Sequence, residues 1–350
     1  MATYNFREEM VLAVPLFQDV LNYPIEPVIE LNLFSRKIEA EKDEAKKAEM
    51  TKKFHDMRVA IKPKTDTPVP KIMLWPEGKM PQATVYTENP GFRYNHMPDY
   101  KPYMYEILIP EDQTPKGAVL LVAGGDQGRA LLGAAYQTAW DLNALGYQCF
   151  VLANRVNGNP WCKLDCGADV ARALRIIRAN AAKYRIRPDN VAAAGFSNGG
   201  LTIDNNIRFY SGKQTVKDHF PDYEPDEYDE FYGAPDAFLC IYGPRFEQDR
   251  NEPGFKYDYT DVVYPPTFIA VGRNDAALKN FEYYYPDLLA HGVTVEVHTF
   301  AGTPHGVAGY KLMEHGFERY KTFNLWLQLA DNFMQDLYAK DKEVVTKVSE

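Results

Sequence analysis

Short apolar runs alternate with longer amphipathic stretches through most of the chain after residue 100, and this alternation predicts its architecture. Tyr103 to Ile109 reads as an early antiparallel strand. Val119–Val122 and Cys149–Leu152 read as buried strands, with a helix from about Gly128 to Leu145 between them. From Asp169 to Tyr184 the pattern is helical: Val170, Leu174, Ile177 and Ala181 share one face, and Arg172, Arg175 and Arg178 lie on others. Asn190–Ala194, Phe238–Tyr242 and Pro266–Gly272 are further apolar runs, and Val293–Val297 alternates as a strand. Phe323, Trp326, Ala330, Phe333 and Leu337 repeat at helical spacing near the end. Strands and helices in this order specify an α/β fold on a mostly parallel, doubly wound sheet. There is no internal repeat.

Residues 1–65 break the pattern and read as a helical N-terminal extension. Pro27–Leu31 is the single strand-like signal there. Ser35–Phe54 is nearly all Lys, Glu, Ala and Asp, which predicts a solvated helix held by i,i+4 pairs. Met10–Phe17, Val20 and Leu21 nevertheless present an apolar surface that must be covered. The extension is therefore expected to cap the body near its active site or to contact a second copy in a homo-oligomer. Residues 66–350 form the second unit, with an aromatic-rich insertion at about 206–236.

Candidate chemistry centres on Gly195-Phe196-Ser197-Asn198-Gly199-Gly200. An apolar strand precedes it and Leu201-Thr202-Ile203 can open a helix, which is the context of a nucleophile elbow. Glycines on either side permit a tight, strained turn that lifts the Ser197 hydroxyl clear of the sheet. Downstream, the exit loop of the 266–272 strand supplies Asp275, and the loop after the 293–297 strand supplies His305. Serine needs a base to be nucleophilic, and the base needs a carboxylate to fix its tautomer. Other groups compete less well. His298 lies inside a strand pattern, His55 in a charged run and His315 in the helical stretch after the His305 loop, both expected to be solvated, and His96, His219 and His291 among loop-like neighbours. Asp236 and Asp261 also flank apolar stretches, but only Asp275 follows a continuous buried strand and a glycine.

Ser, Asp and His in that order, each just past a strand, resemble the α/β-hydrolase superfamily. That resemblance implies an oxyanion hole in the loop after the 118–122 strand. Related esterases carry His-Gly-Gly-Gly or Pro-Gly-Gly-Gly there, whereas this chain has Ala123-Gly124-Gly125-Asp126. The expected donors are the backbone amides of Gly125 and Asn198, with Asp126 third. A carboxylate facing a developing oxyanion would oppose catalysis, so the Asp126 side chain should point elsewhere. From about residue 100 to 338 the pattern is similar to small acetyl-xylan and feruloyl-esterase-like enzymes. The matching stretches include Asn154-Arg155, Asp169, the elbow, Asp275 and Pro304-His305-Gly306. Those relatives deacylate plant-cell-wall carbohydrates, so the resemblance implies a serine esterase for short acyl groups. Prolyl oligopeptidases share the elbow, but the extension shows no propeller repeat. A catalytically silent ligand-binding α/β-hydrolase is the rival from another class.

Between the elbow helix and the next strand lies a stretch rich in Tyr, Phe and Asp, including Tyr228, Phe231 and Tyr232, and a second aromatic loop holds Tyr257. Aromatic faces beside acceptor carboxylates suit polyhydroxylated ligands, which makes these four residues candidate substrate contacts. They could equally cover the core or form a subunit interface. Composition narrows the partners. In 350 residues, 45% apolar and 25% charged is ordinary for a globular protein, and a net charge of -9 disfavours nucleic acid and anionic membrane surfaces. The N-terminus lacks a signal-peptide pattern and no apolar run is long enough to span a bilayer, so a cytoplasmic location is expected. Four cysteines form neither a disulfide scaffold nor a metal set; no cofactor and no metal is expected.

Overall fold

The computed structural model describes residues 4–88, 94–125, 131–157, 163–243, 257–309 and 317–339. Among the described residues, eight strands form one sheet in the order β1-β2-β4-β3-β5-β6-β7-β8. They are β1 (Ile72–Met73), β2 (Tyr103–Ile107), β3 (Gly117–Val122), β4 (Tyr147–Ala153), β5 (Val191–Phe196), β6 (Ala237–Ile241), β7 (Thr267–Gly272) and β8 (Val295–Phe300). β1 and β2 are antiparallel to their neighbours, and every pairing from β4 through β8 is parallel. β3 to β7 are buried along their whole length, as strands covered by helices on both faces must be. β8 begins two residues later than its alternation predicts. Val293 instead donates its amide to Leu288 O, closing the end of the preceding helix.

The helices are α1 (Phe6–Gln18), α2 (Ile25–Ala40), α3 (Glu44–Ala60), α4 (Thr138–Ala144), α5 (Lys163–Ala179), α6 (Ala181–Tyr184), α7 (Asn198–Tyr210), α8 (Val216–His219), α9 (Leu278–Ala290) and α10 (Trp326–Tyr338). The stretch expected to be one helix from Gly128 is π-helical over Leu131–Gln137 before α4 begins. Because α7 runs to Tyr210, the connection to β6 starts at residue 211 rather than 206.

Two readings of the extension change. Pro27–Leu31 lies inside α2, where Pro27 falls in the first turn and its missing N–H costs nothing. Ser35–Phe54 is not one solvated helix, because Asp43 caps a fresh start at Glu44 by accepting from Lys46 N. Met10, Ala13, Phe17, Val28, Leu31, Ile38 and Phe54 are buried in the same core cluster as the sheet. Asp19 ties α1 to the body, accepting from Tyr105 Oη at 2.7 Å and pairing with Lys71 at 2.8 Å. His55, expected to be solvated, is half-buried and lies 2.9 Å from Glu9, which also accepts from Arg58 Nε at 2.8 Å. Each fully buried aliphatic or aromatic side chain contributes about 1.5–3 kcal/mol. Deleting residues 1–60 is therefore expected to yield aggregated or expanded protein by size-exclusion chromatography. A truncated chain that elutes as a compact species and unfolds at the parental temperature would contradict this.

The arginines of α5 also face elsewhere than a polar helix side predicts. Arg172, Arg175 and Arg178 are all buried, because residues 211–236 fold over them. Arg175 donates to Asp229, Arg178 to Asp236, and Arg172 makes a bidentate contact with Asp226 at 2.5 Å per bond. The insertion is thus held by a row of buried charge pairs.

Candidate active site

β5 delivers Ser197 at its C-terminal end, and α7 starts at the next residue. Ser197 has φ 51° and ψ -124°, a conformation that costs a non-glycine residue about 1–3 kcal/mol and persists only when its surroundings enforce it. The glycines are required by close approach. A Cβ on Gly195 would stand 2.6 Å from Gly199 O, and one on Gly199 would stand 2.0 Å from Val122 O. Ser197 N donates to Ile241 O at 3.0 Å, pinning the turn to the neighbouring strand.

His305 reaches this turn from the loop after β8. Its Nε2 lies 2.8 Å from Ser197 Oγ and its Nδ1 lies 2.8 Å from Asp275 Oδ2. Asp275 follows β7, and its other oxygen accepts from Ala277 N at 2.7 Å. The Asp275 side chain is 1% exposed and that of His305 is 43% exposed, so the acid is sealed while the imidazole faces solvent. The backbones of the two loops are tied together, with Asn274 N donating to Thr303 O at 3.0 Å. The other candidate acids are engaged elsewhere. Asp236 accepts from Val191 N and Arg178, and Asp261 accepts from Lys213 N and Gln214 N.

Of the expected oxyanion donors, Gly125 and Asn198 lie together beside Ser197: Asn198 Nδ2 donates to Gly125 O at 3.3 Å. Gly125 has φ 64°, so the chain turns sharply as it leaves β3. The Asn198 amide is in the first turn of α7, where helix N–H groups have no intrahelical partner. Asp126 lies outside the described residues.

The four aromatic candidates are not gathered at Ser197. The Tyr228 ring lies under Arg172 with 4.6 Å from guanidinium carbon to centroid, and Tyr232 lies under Arg178 at 5.3 Å. Phe231 O accepts from Arg175 Nε at 3.0 Å. These contacts place the three residues on α5, as cover for its arginine row. Tyr257 packs on Leu201, one turn into α7, and against Tyr259 and Tyr264. It is the one of the four near the elbow.

A residue that pattern reading passed over is Tyr242, at the end of β6. Its ring meets His305 edge-on with centroids 4.9 Å apart, and its φ is 42°. Burial pushes its hydroxyl pKa up, so it stays neutral beside the imidazole. The signal for it was an aromatic closing a buried strand just before Gly243. Burial also raises the pKa of the Cys149 and Cys240 thiols, which makes them poor nucleophiles. Among the described residues no group of His, Cys, Asp and Glu is arranged to hold a metal ion, and no helix is long and apolar enough to cross a membrane.

No family model matches the chain, and no curated protein sequence matches it. Solved structures do. An acetyl ester-xyloside bifunctional hydrolase from Caldicellulosiruptor lactoaceticus is similar with a TM-score of 0.54 and 20% identity, over 76% of this chain and 96% of that one. Esterase 2 of Thermogutta terrifontis, in a form phosphorylated by paraoxon, superposes with a TM-score of 0.52 and 18% identity, over 70% and 92%. A carboxylesterase from Lactobacillus plantarum gives 0.51 and 18%, over 69% and 95%. What this chain shares with those esterases is the fold, an eight-stranded α/β-hydrolase sheet flanked by helices.

Proposed function

We propose that this α/β-hydrolase-fold protein is a serine hydrolase that cleaves carboxylic esters through an acyl-enzyme. The observation that carries the reading is the placement of His305 between Ser197 Oγ and Asp275, at 2.8 Å from each. His305 takes the Ser197 proton as Oγ attacks the ester carbonyl. Asp275, already holding Ala277 N on one oxygen, receives Nδ1–H on the other and stabilises the imidazolium. The amides of Asn198 and Gly125 are assigned to the oxyanion, with the Asn198 side chain steadying the Gly125 peptide. His305 then returns its proton to the leaving alcohol, and a water molecule repeats the cycle on the acyl-enzyme. No step requires a cofactor.

Within that class we assign a short acyl group, acetyl foremost, on a carbohydrate or a related small alcohol. Esters of that kind are named in one of the similar structures, and the ring-and-carboxylate composition of this chain is compatible with a polyhydroxylated alcohol. A fluorophosphonate label should modify the parental protein and not Ser197→Ala. Turnover of p-nitrophenyl esters should fall steadily from acetate to octanoate. Absence of labelling would remove the catalytic reading, and a maximum at octanoate would remove the short-acyl assignment.

A further inference from the structure

Described residues between β1 and β2 line an open cavity of about 820 Å³, within the size range of small-molecule sites. Ring-bearing residues Trp75, Tyr86 and Tyr100 line it, together with Glu77, Thr84 and Asp99. Sheet register fixes where it sits. Tyr103 pairs with Ala153 at the C-terminal end of β4, and Tyr100 Oη donates to Ala153 O at 2.6 Å. The cavity therefore opens at the same end of the sheet as Ser197, with β4 and β3 between β2 and β5. Three strand spacings put it about 14 Å to the side of the nucleophile. A methyl or ethyl alcohol on Ser197 ends far short of it, and an oligomeric alcohol can reach it.

Its wall has little secondary structure and is held by hydrogen bonds to neighbouring elements. Trp75 Nε1 donates to Asp169 at 2.8 Å, Arg172 Nε donates to Leu74 O at 2.7 Å, and Arg155 bonds Gln82 O. Asn157 takes Val85 N at 3.0 Å and gives its amide to Ala83 O at 3.0 Å. Residues 74–85 are thus tied to α5 and to the exit of β4 at five points, so the wall is ordered before any ligand arrives. Tyr86 is half-buried and stacks on His96, with centroids 4.5 Å apart and planes within 17°.

We propose that this cavity is a carbohydrate subsite that holds the distal, uncharged polyhydroxylated part of the alcohol moiety. The half-buried Tyr86 ring suits the C–H face of a sugar, whereas Trp75 and Tyr100, each 6% exposed, contribute little surface of their own. Thr84, Thr87 and Asp99 supply acceptors for its hydroxyls, and the exposed Glu77 is paired with Lys101, which also lines the cavity, at 2.5 Å. The mixture of rings and hydroxyl-binding groups fits a neutral sugar better than an acyl chain. The subsite presupposes ester chemistry at Ser197, but its ligand can be offered without an ester.

Ser197→Ala protein is titrated calorimetrically with unacylated xylohexaose, cellohexaose and mannohexaose, and the titration is repeated after adding Tyr86→Ala or Thr87→Trp. Parental enzyme and the two single variants are assayed on p-nitrophenyl acetate and on acetylated oligosaccharides. We expect at least one hexaose to bind and either cavity substitution to weaken it about tenfold, the scale of one lost ring contact. KM for the acetylated oligosaccharide should rise in parallel while p-nitrophenyl acetate kinetics stay within about twofold of the parent. Thr87→Trp adds bulk to the cavity from an exposed lining position, so it reports even if Tyr86→Ala fails to fold. No binding of any hexaose, or equal binding by the cavity variants, overturns the subsite while p-nitrophenyl acetate turnover leaves the esterase reading standing. Cavity-dependent binding by a protein that hydrolyses no ester would keep the carbohydrate site and remove its link to Ser197.

Discussion

Ser197→Ala is expected to fold as the parent does and to lose ester hydrolysis by at least about a thousandfold. The alanine removes only Oγ. The backbone turn, enforced by the Gly195 and Gly199 contacts and by the Ser197 N to Ile241 O bond, is untouched. Asp275→Asn should cost as much as about ten-thousandfold in kcat for a reason visible in the geometry. Ala277 N holds one carboxylate oxygen at 2.7 Å, so an asparagine placed there keeps its single carbonyl oxygen on that amide and turns its NH2 toward His305 Nδ1. Two donors cannot meet, and the imidazole is driven to carry its proton on Nε2, where it cannot accept from Ser197. Circular dichroism and single-turnover kinetics on a p-nitrophenyl ester check both variants. If Asp236→Asn or Asp261→Asn crippled the rate while Asp275→Asn did not, the acid would have to be reassigned.

The second large effect is on stability. Arg155 and Asp169 are both fully buried, at 0% side-chain exposure each, and meet at 2.7 Å. Asp169 also accepts from the Arg155 backbone amide and from Trp75 Nε1, both at 2.8 Å. Removing one member of such a pair leaves an uncompensated charge in the interior, which costs about 3–5 kcal/mol. Arg155→Met and Asp169→Leu should each lower the urea midpoint accordingly, with the m-value unchanged. The double variant should recover part of the loss but not all of it. Trp75 Nε1 and the residue 155 amide would still be buried without their acceptor. A double variant less stable than the sum of the single losses would show that the pair is not the source of the effect.

Some features of this chain follow from local rules alone. A parallel sheet buried on both faces demands uninterrupted apolar strands, and β3, β5, β6 and β7 are legible for that reason. The elbow is legible because close backbone approaches force glycine at positions 195 and 199, and glycine leaves a mark in sequence. The meeting of Asp275 and His305 at Ser197 is legible because loops that directly follow parallel strands converge at the C-terminal end of the sheet.

What stayed hidden depends on which surfaces meet. Arg172, Arg175 and Arg178 have the spacing of a solvated helix face, and only the chain folding back over them turns that face into an interior. The acidic partners lie more than fifty positions away, at Asp226, Asp229 and Asp236. The same packing claims Tyr228, Phe231 and Tyr232, whose ring-and-carboxylate composition is identical whether it faces a sugar or a guanidinium. In the extension, Asp43 interrupts a run whose composition is helical throughout, and Met10 and Phe17 become interior residues because α1 packs on α2, α3 and the helical segments at 94–96 and 131–137. The stretch from residue 74 to 85 carries no periodicity, so the cavity beside it depends on tethers to α5 and the end of β4 that lie far along the chain. Local propensity and steric exclusion act within a few residues and are written in them; burial of charge and the shape of a cavity are decided between segments, by contacts that no window along the chain contains.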